Sequence, residues 1–348
     1  MRNDLFRYVL KRLLQLVFVL LAISLLVFTL SRGFPTKYPA WLEYVTATAN
    51  PDQIATIKAQ HGFNLPIYEQ YFYWLRDIIT GNWGISHWAG DQSTFHVFQS
   101  RFPLTVELAV SAMIVAIAVG IPLGIISATR SNRLPDHISR IMALSGYSIP
   151  VFWLGFLFQL LFTYYFKIWK LPTLPSSGYT DSSFIHNVRV ITGIPILDGI
   201  LTLNIPYLDS SIIHLILPML TLSFVLMGFL ARTTRSSMVD VLRQDFILLA
   251  RSKGLSERVV IYRHALRNAL IPTLTIGGVL FSYIIGGSVV IELVFSWPGV
   301  GWAALQAAFA NDTNFLMLYS IVAALIIGII SLVIDISYSI LDPRIKLT

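Results

Sequence analysis

The chain has 348 residues, of which 55% are hydrophobic and only 12% charged, where soluble domains carry about a quarter. That balance excludes a soluble globular enzyme and indicates an integral membrane protein. It has no cysteine, which removes disulfides, thiolate metal sites and cysteine nucleophiles, and a net charge of +7 that suits either nucleic acid or the cytoplasmic loops of a membrane protein.

A bilayer core about 30 Å thick asks for roughly 20 apolar residues of helix. Six segments qualify: 13–31, 106–128, 141–166, 212–231, 272–295 and 316–340. The first is too long for the apolar core of a signal peptide, and "SRGFP" after it lacks a small-residue cleavage pattern, so residues 1–31 read as a retained helix. Residues 32–103 form a long loop whose "NLPIYEQYFYWLRDIITGNWGIS" has apolar residues at helical spacing and then a Gly/Trp/Gly turn, predicting a small, partly helical cap. Its aromatic residues Tyr68, Tyr71, Phe72, Tyr73 and Trp74 suit an interfacial belt better than a carbohydrate or peptide platform. The remainder, 104–348, reads as a five-helix core with a turn-rich lobe at 167–211 and a polar segment at 232–271.

Within the second span, Gly120, Pro122 and Gly124 make a small-xxx-small step broken by a proline, which predicts a close helix crossing, with a moving hinge as the alternative. The fifth carries two glycine pairs, Gly277-Gly278 and Gly286-Gly287, with Ser282, Tyr283 and Ser288 between or beside them; it is the best candidate to line a path, with simple packing as the alternative. Glu107, Glu292 and Asp335 fall inside spans, where an ionisable residue is by default a functional candidate. At 1.5 Å rise per residue all three lie away from the midplane, where a coupled transporter would place its ion site, so interfacial or helix-pairing roles are expected. Asn311-Asp312-Thr313 matches the three-residue glycosylation pattern.

Lys and Arg counted against Asp and Glu give +3 for residues 1–12, zero for 32–103, +2 for 129–140, zero for 167–211, +5 for 232–271, −1 for 296–315 and +1 for 341–348. Positive loops stay in the cytoplasm. Both termini and the 232–271 loop are therefore expected inside, the two long neutral loops outside, and no nucleic acid is needed to explain the charge.

The fourth span is expected to continue as helix beyond the membrane, with apolar residues at 238, 241, 242, 246 and 249, until Gly254 breaks it. Ser256 then suits an N-cap and Glu257 the dipole of a second helix, while Pro272 suits the first turn of the fifth span. The short helix has an apolar side (Val259, Val260, Ala265, Leu266, Leu270) and a polar one (Arg258, Arg263, His264, Arg267). It could rest on anionic lipid or be a knob presented to a cytoplasmic protein. No P-loop, HExxH or GxSxG stretch occurs, and the seven histidines are scattered singly.

"QDFILLARSKGLSERVVIYRHALRNALIP" closely resembles the coupling-helix stretch of ABC-importer permeases of the oligopeptide/dipeptide type, with Leu248-Leu249-Ala250 where the general signature has Glu-Ala-Ala, Gly254 retained, and Phe246 and Ser252 as mild departures. "SIPVFWLGFLFQLLF", "LPSSGY", "SWPGVGWAALQAAFANDTNF" and "LDPRIKL" also resemble that family, so the likeness covers nearly the whole chain. "RGFPTKYP" stands where a Pro-Gly-Asp-Pro element is common, and 179–210 is longer than usual.

The resemblance implies an all-α type I importer permease with six transmembrane helices in the cell membrane. It implies a second, homologous permease chain, two cytoplasmic ATPase subunits that bind ATP and Mg, and an external solute-binding protein, with no cofactor in this chain. Ala250, Lys253, Gly254, Ser256, Glu257, Arg258, Arg263 and His264 are then the expected ATPase-coupling residues. Ser282, Tyr283, Gly286, Gly287 and Ser288 are the candidate path. Peptides are the expected solute, with oligosaccharides or another small solute as the alternative; a secondary transporter and a membrane scaffold are the competing classes.

Overall fold

The computed structural model describes residues 2–33, 41, 50–60, 62–131, 133–185, 187–286 and 288–341; at 2–6, 135, 147 and 338–341 it describes the backbone alone. Among these residues six helical stretches are long and apolar enough to cross a membrane: Arg7–Arg32, Thr94–Thr129, Val151–Ile168, Ile205–Leu242, Glu257–Ile285 and Thr313–Ser337. The helices, in chain order, are α1 (Arg2–Gly33), α2 (Pro51–Gln60), α3 (Ile67–Ile79), α4 (Thr94–Thr129), α5 (Leu134–Ser148), α6 (Val151–Ile168), α7 (Pro195–Leu201) and α8 (Ile205–Leu242). They continue as α9 (Asp245–Ser252), α10 (Glu257–Ile285), α11 (Val289–Val294), α12 (Val300–Ala310) and α13 (Thr313–Leu341). A two-stranded hairpin, β1 (Ile85–Ser86) and β2 (Gln92–Ser93), precedes α4.

α4 and α8 form the centre. Along α4 the residues Thr105, Leu108, Ala112, Ala116, Gly120 and Gly124, with Ala109 beside Leu108, are buried, and their spacing of three or four positions puts them on one face. A Cβ at Gly124 would lie 2.6 Å from Thr234 Cβ and 2.8 Å from the Ala231 carbonyl oxygen, and one at Gly120 3.0 Å from the Met227 carbonyl oxygen. The close crossing expected from "VGIPLG" is therefore present, and its partner is α8. α5 approaches α8 in the same way: a Cβ at Gly146 would meet the Phe224 carbonyl oxygen at 2.8 Å, and one at Gly228 the Ala143 carbonyl oxygen at 2.9 Å.

Four expectations about helix boundaries change. The predicted span 141–166 is two helices, because Pro150 lacks an N–H and holds Ile149 extended at φ −83°, ψ 125°. The fourth span stops at Leu242 instead of running to Gly254; Gln244 is extended at ψ 150° and α9 starts afresh. The fifth begins at Glu257, so Pro272 lies inside α10, not in its first turn. It also ends at Ile285, which leaves Glu292 on the separate short helix α11.

Each acid of the predicted spans has a partner from elsewhere in the chain. Asp335 on α13 pairs with Arg12 of α1 at 2.9 Å. Glu107 accepts a hydrogen bond from the Ile196 amide at the start of α7 (2.9 Å). Glu292, with no exposed surface, accepts from the Thr105 hydroxyl on α4 (2.8 Å) and from the Trp302 amide on α12 (2.7 Å), and Thr105 in turn accepts from the Val300 amide (2.9 Å). One carboxylate thus ties α4, α11 and α12 together. Nearby, Asp312 accepts from Ser86 Oγ (2.6 Å), the Trp88 amide (3.2 Å) and the Phe315 amide (3.1 Å). Residues that match a glycosylation pattern in the sequence are thereby built into the cap of α13.

The loop before α4 folds back on α1. Tyr71 and Trp74 of α3 pack their rings on Phe28 at 5.4 and 5.3 Å, and the Tyr71 and Ser24 hydroxyls lie 2.8 Å apart. Tyr68 and Phe72 face outward.

Three substitutions test this frame. Gly124→Ala should lower stability by about 1–3 kcal/mol through overpacking, whereas Gly277→Ala, whose Cβ would meet only Leu230 Cδ2 at 3.5 Å, should leave the denaturation midpoint in detergent nearly unchanged. Glu292→Ala strands two buried donors and should cost about 1–3 kcal/mol by the same measurement.

Candidate functional site

At one end of the bundle α8 gives way to a compact helix–turn–helix. α9 runs to Ser252, Lys253 follows at ψ 4°, and Gly254 takes φ +75°, a left-handed conformation that a side chain would strain. Its amide donates to the Arg251 carbonyl (2.9 Å), and the Leu255 amide to the Ala250 carbonyl (3.4 Å), closing the end of α9. Ser256 occupies the N-cap position, φ −61° and ψ 144°, and its backbone carbonyl accepts from the Val259 and Val260 amides; its side chain makes no capping bond. Glu257 stands in the first turn, where the positive end of the helix dipole favours a carboxylate.

The two arms of the turn are clipped. Arg251 donates two hydrogen bonds to Glu257, Nε to Oε1 at 2.8 Å and Nη2 to Oε2 at 3.2 Å. The pair is solvent-exposed, so its contribution is geometric more than energetic. Its signal in the sequence is a pair of opposite charges on either side of a glycine.

The inner side of the segment is welded to the bundle. Ile247, Ala250, Val260 and Ala265 are buried in one apolar cluster with Ile125 and Ala128 of α4 and Met238 and Val241 of α8. Ala250 therefore turns its small side chain inward. The outer side carries Leu248, Leu249, Leu255 and Tyr262 with 39–57% of their surface open, interspersed with exposed Lys253, Ser256, Arg258 and Arg263, while His264 is half-buried. Beyond it the chain does not re-enter the bundle through a loop. Val260–Ala265 is a single π-helical turn, and α10 continues unbroken to Ile285. Such turns are rare and are frequent at functional sites.

The residues expected to line a path lie at the far end of α10. Tyr283 is 80% exposed on this single chain. Ser282 is buried, and its hydroxyl donates to the Gly278 carbonyl (2.9 Å). The Gly286 carbonyl accepts from the Tyr319 hydroxyl of α13 (2.6 Å), and Ser288 is the N-cap of α11. Gly287 lies outside the described residues. The five do not form one surface: Tyr283 faces out, while Ser282 and Gly286 are tied inward. Among the described residues no group of three or more His, Asp or Glu is placed to hold a metal ion.

Residues 120–347 match the family described as the binding-protein-dependent transport system inner membrane component, and residues 5–109 match the N-terminal membrane component of such systems. The chain is 36% identical over 342 residues to a dipeptide transport system permease protein of Alkalihalophilus pseudofirmus, covering 97% of this chain and 99% of that one. It is 36% identical over 330 residues to a probable D,D-dipeptide transport system permease protein of Escherichia coli K12 (95% and 94%). It is 33% identical over 339 residues to an oligopeptide transport system permease protein of Bacillus subtilis 168 (97% and 99%). With six apolar helices around a tight central crossing, the chain belongs to the binding-protein-dependent transport system inner membrane components and is a multi-pass permease subunit of an ABC transporter in the plasma membrane.

Proposed function

We propose that this chain forms half of the translocation pathway of an ATP-driven importer for oligopeptides or dipeptides. Around it we place a second, homologous permease chain, two cytoplasmic ATPase subunits that bind ATP and Mg, and an external solute-binding protein. Residues 1–31 are an N-terminal transmembrane helix, 32–103 an external cap and 104–348 the five-helix permease core, with both termini and 232–271 in the cytoplasm by the placement of basic residues. Peptide as the solute is carried over from relatives named for peptides.

The observation that carries the mechanism is the two-sided character of Asp245–Ala265. A helix lying on lipid would keep its apolar residues on one face and its charges on the other. Here one apolar set is consumed by the bundle and a second, Leu248, Leu249, Leu255 and Tyr262, is presented outward among cations. That arrangement suits an apolar groove on an ATPase surface with acidic edges. Lys253, Arg258, Arg263 and His264 supply charge around the contact, Gly254 sets its angle, and Ser256 and Glu257 fix the second arm. Ala250 seats the first arm on the bundle.

Transport then follows from mechanical continuity. Closure of the ATPases displaces the segment, α8 and α10 carry that displacement through the bilayer, and Tyr283, with Ser282, Gly286, Gly287 and Ser288 behind or beside it, lies where the second permease chain completes the pathway. Off-centre, internally paired acids give no midplane ion site of the kind a secondary transporter needs.

Gly254→Val forces a β-branched residue to positive φ, at a cost of about 1–3 kcal/mol. The complex should still co-purify with its ATPases, yet solute uptake into proteoliposomes should fall by about ten-fold or more relative to ATP hydrolysed; wild-type uptake would refute the coupling role. Leu248→Asp with Leu249→Asp should instead release the ATPases on purification. Their retention with normal uptake would rule out this contact face.

A further inference from the structure

Near the end of the bundle that carries Gly254, the inner ends of α4, α5 and α8 enclose a cavity of about 290 Å³. Its lining divides into two kinds of wall. Arg140, Arg232, Arg235, Ser127, Ser139 and Ser236 are polar, and Leu123, Ala143, Leu144 and Ala231 are apolar. Leu144 is half exposed on the outer surface of α5 beside Ile141, which is 63% exposed, so the apolar wall is continuous with a lipid-facing side of the helix.

Three guanidinium groups line the space, and the wholly buried carboxylate of Asp136 pairs with two of them, Arg235 and Arg140. Most of that carboxylate is taken by Arg235, through Nε to Oδ1 at 2.9 Å and Nη2 to Oδ2 at 3.3 Å, with Ser127 Oγ donating to Oδ1 at 2.5 Å. Arg140 reaches Asp136 Oδ2 by one amino group at 3.2 Å, and that same group contacts His137 Nδ1 at 3.2 Å. The Arg140 Nε is buried and, among the described residues, has no hydrogen-bond partner. A guanidinium N–H without an acceptor, in a cavity whose cations outnumber its anions, calls for an anion with several acceptor oxygens.

We propose that this cavity binds the headgroup phosphate of an anionic phospholipid. The phosphate oxygens accept from Arg140 on α5 and Arg232 on α8, with the serine hydroxyls at hand, and an acyl chain leaves along Leu144. A soluble phosphate would use the polar wall alone; the apolar wall opening beside Ile141 is what selects a lipid. Basic pockets between transmembrane helices are suited to such headgroups. The bound lipid ties α5 to the part of α8 that leads to Gly254, so membrane composition would bear on the geometry of that segment.

The test uses the full-length chain purified in mild detergent, stripped of lipid and offered equal phosphatidylglycerol and phosphatidylcholine, with retained lipid read by native mass spectrometry. One phosphatidylglycerol should be held with a preference of about ten-fold or more, and millimolar inorganic phosphate should not displace it. Arg140→Gln with Arg232→Gln should bring the preference to about one. Ser236→Glu, which keeps every arginine and adds a carboxylate to the wall, should do the same. Arg7→Gln with Lys11→Gln, on α1, should retain it. Equal retention of phosphatidylcholine, undiminished preference in the double arginine variant, or displacement by inorganic phosphate would each overturn the proposal, the last by assigning the site to a soluble anion.

Discussion

The molecule depends on two backbones coming within van der Waals contact of each other. Lipid is as apolar as leucine and gives helices little hydrophobic reason to associate, so they hold by packing and buried polar contacts. α4 and α8 achieve this through Gly120 and Gly124, which leave the Met227 and Ala231 carbonyls and Thr234 room to seat directly on the α4 backbone. Everything else is placed by that crossing. At one end it creates the apolar floor, Ile125, Ala128, Met238 and Val241, on which the helix–turn–helix sits; toward the other it holds Thr105 where Glu292 can reach it.

The buried carboxylates show how a polar group can be used where no water is available. Glu292 and Asp312 each accept hydrogen bonds from chain segments far apart in sequence. Each is less a charge than a junction. An acid so satisfied resists replacement, because removing it strands several donors at once. The end carrying Glu292 is therefore fastened by polar contacts, and the helix–turn–helix at the other end is seated on an apolar cluster.

Much of this was legible from residue order alone. Long apolar runs, the glycine step in "VGIPLG" and the turn at Gly254 are local signals: six spans, the close crossing and the turn are all present, although four helix boundaries shift. What stayed hidden was of two kinds. Long-range pairing was one: nothing near Glu292 announces Thr105, 187 positions away, as its partner. Competition between equally apolar alternatives was the other. Val-Val-Ile-Glu-Leu-Val is as hydrophobic as a span, yet it is a separate short helix. Arg243-Gln244 consists of good helix formers and still marks a break, since docking Ile247 and Ala250 on the bundle outweighs their weak propensity. The path residues were the least legible: whether Tyr283 faces lipid, solute or a second chain is a property of an assembly, not of one sequence.

The π-helical turn at Val260–Ala265 has a consequence for how α10 works as a machine part. From Glu257 to Ile285 it is one shaft about 40 Å long, with Tyr262 near one end and Tyr283 near the other. A π turn inserts one extra residue without interrupting the helix, so it behaves as a key cut into the shaft, fixing the angular phase between the two ends. Shortening that turn by a single residue would preserve the shaft and its length to within a rise, yet point its two ends in directions that no longer correspond. Under the proposed coupling, transmission through this chain rests on phase as much as on stiffness.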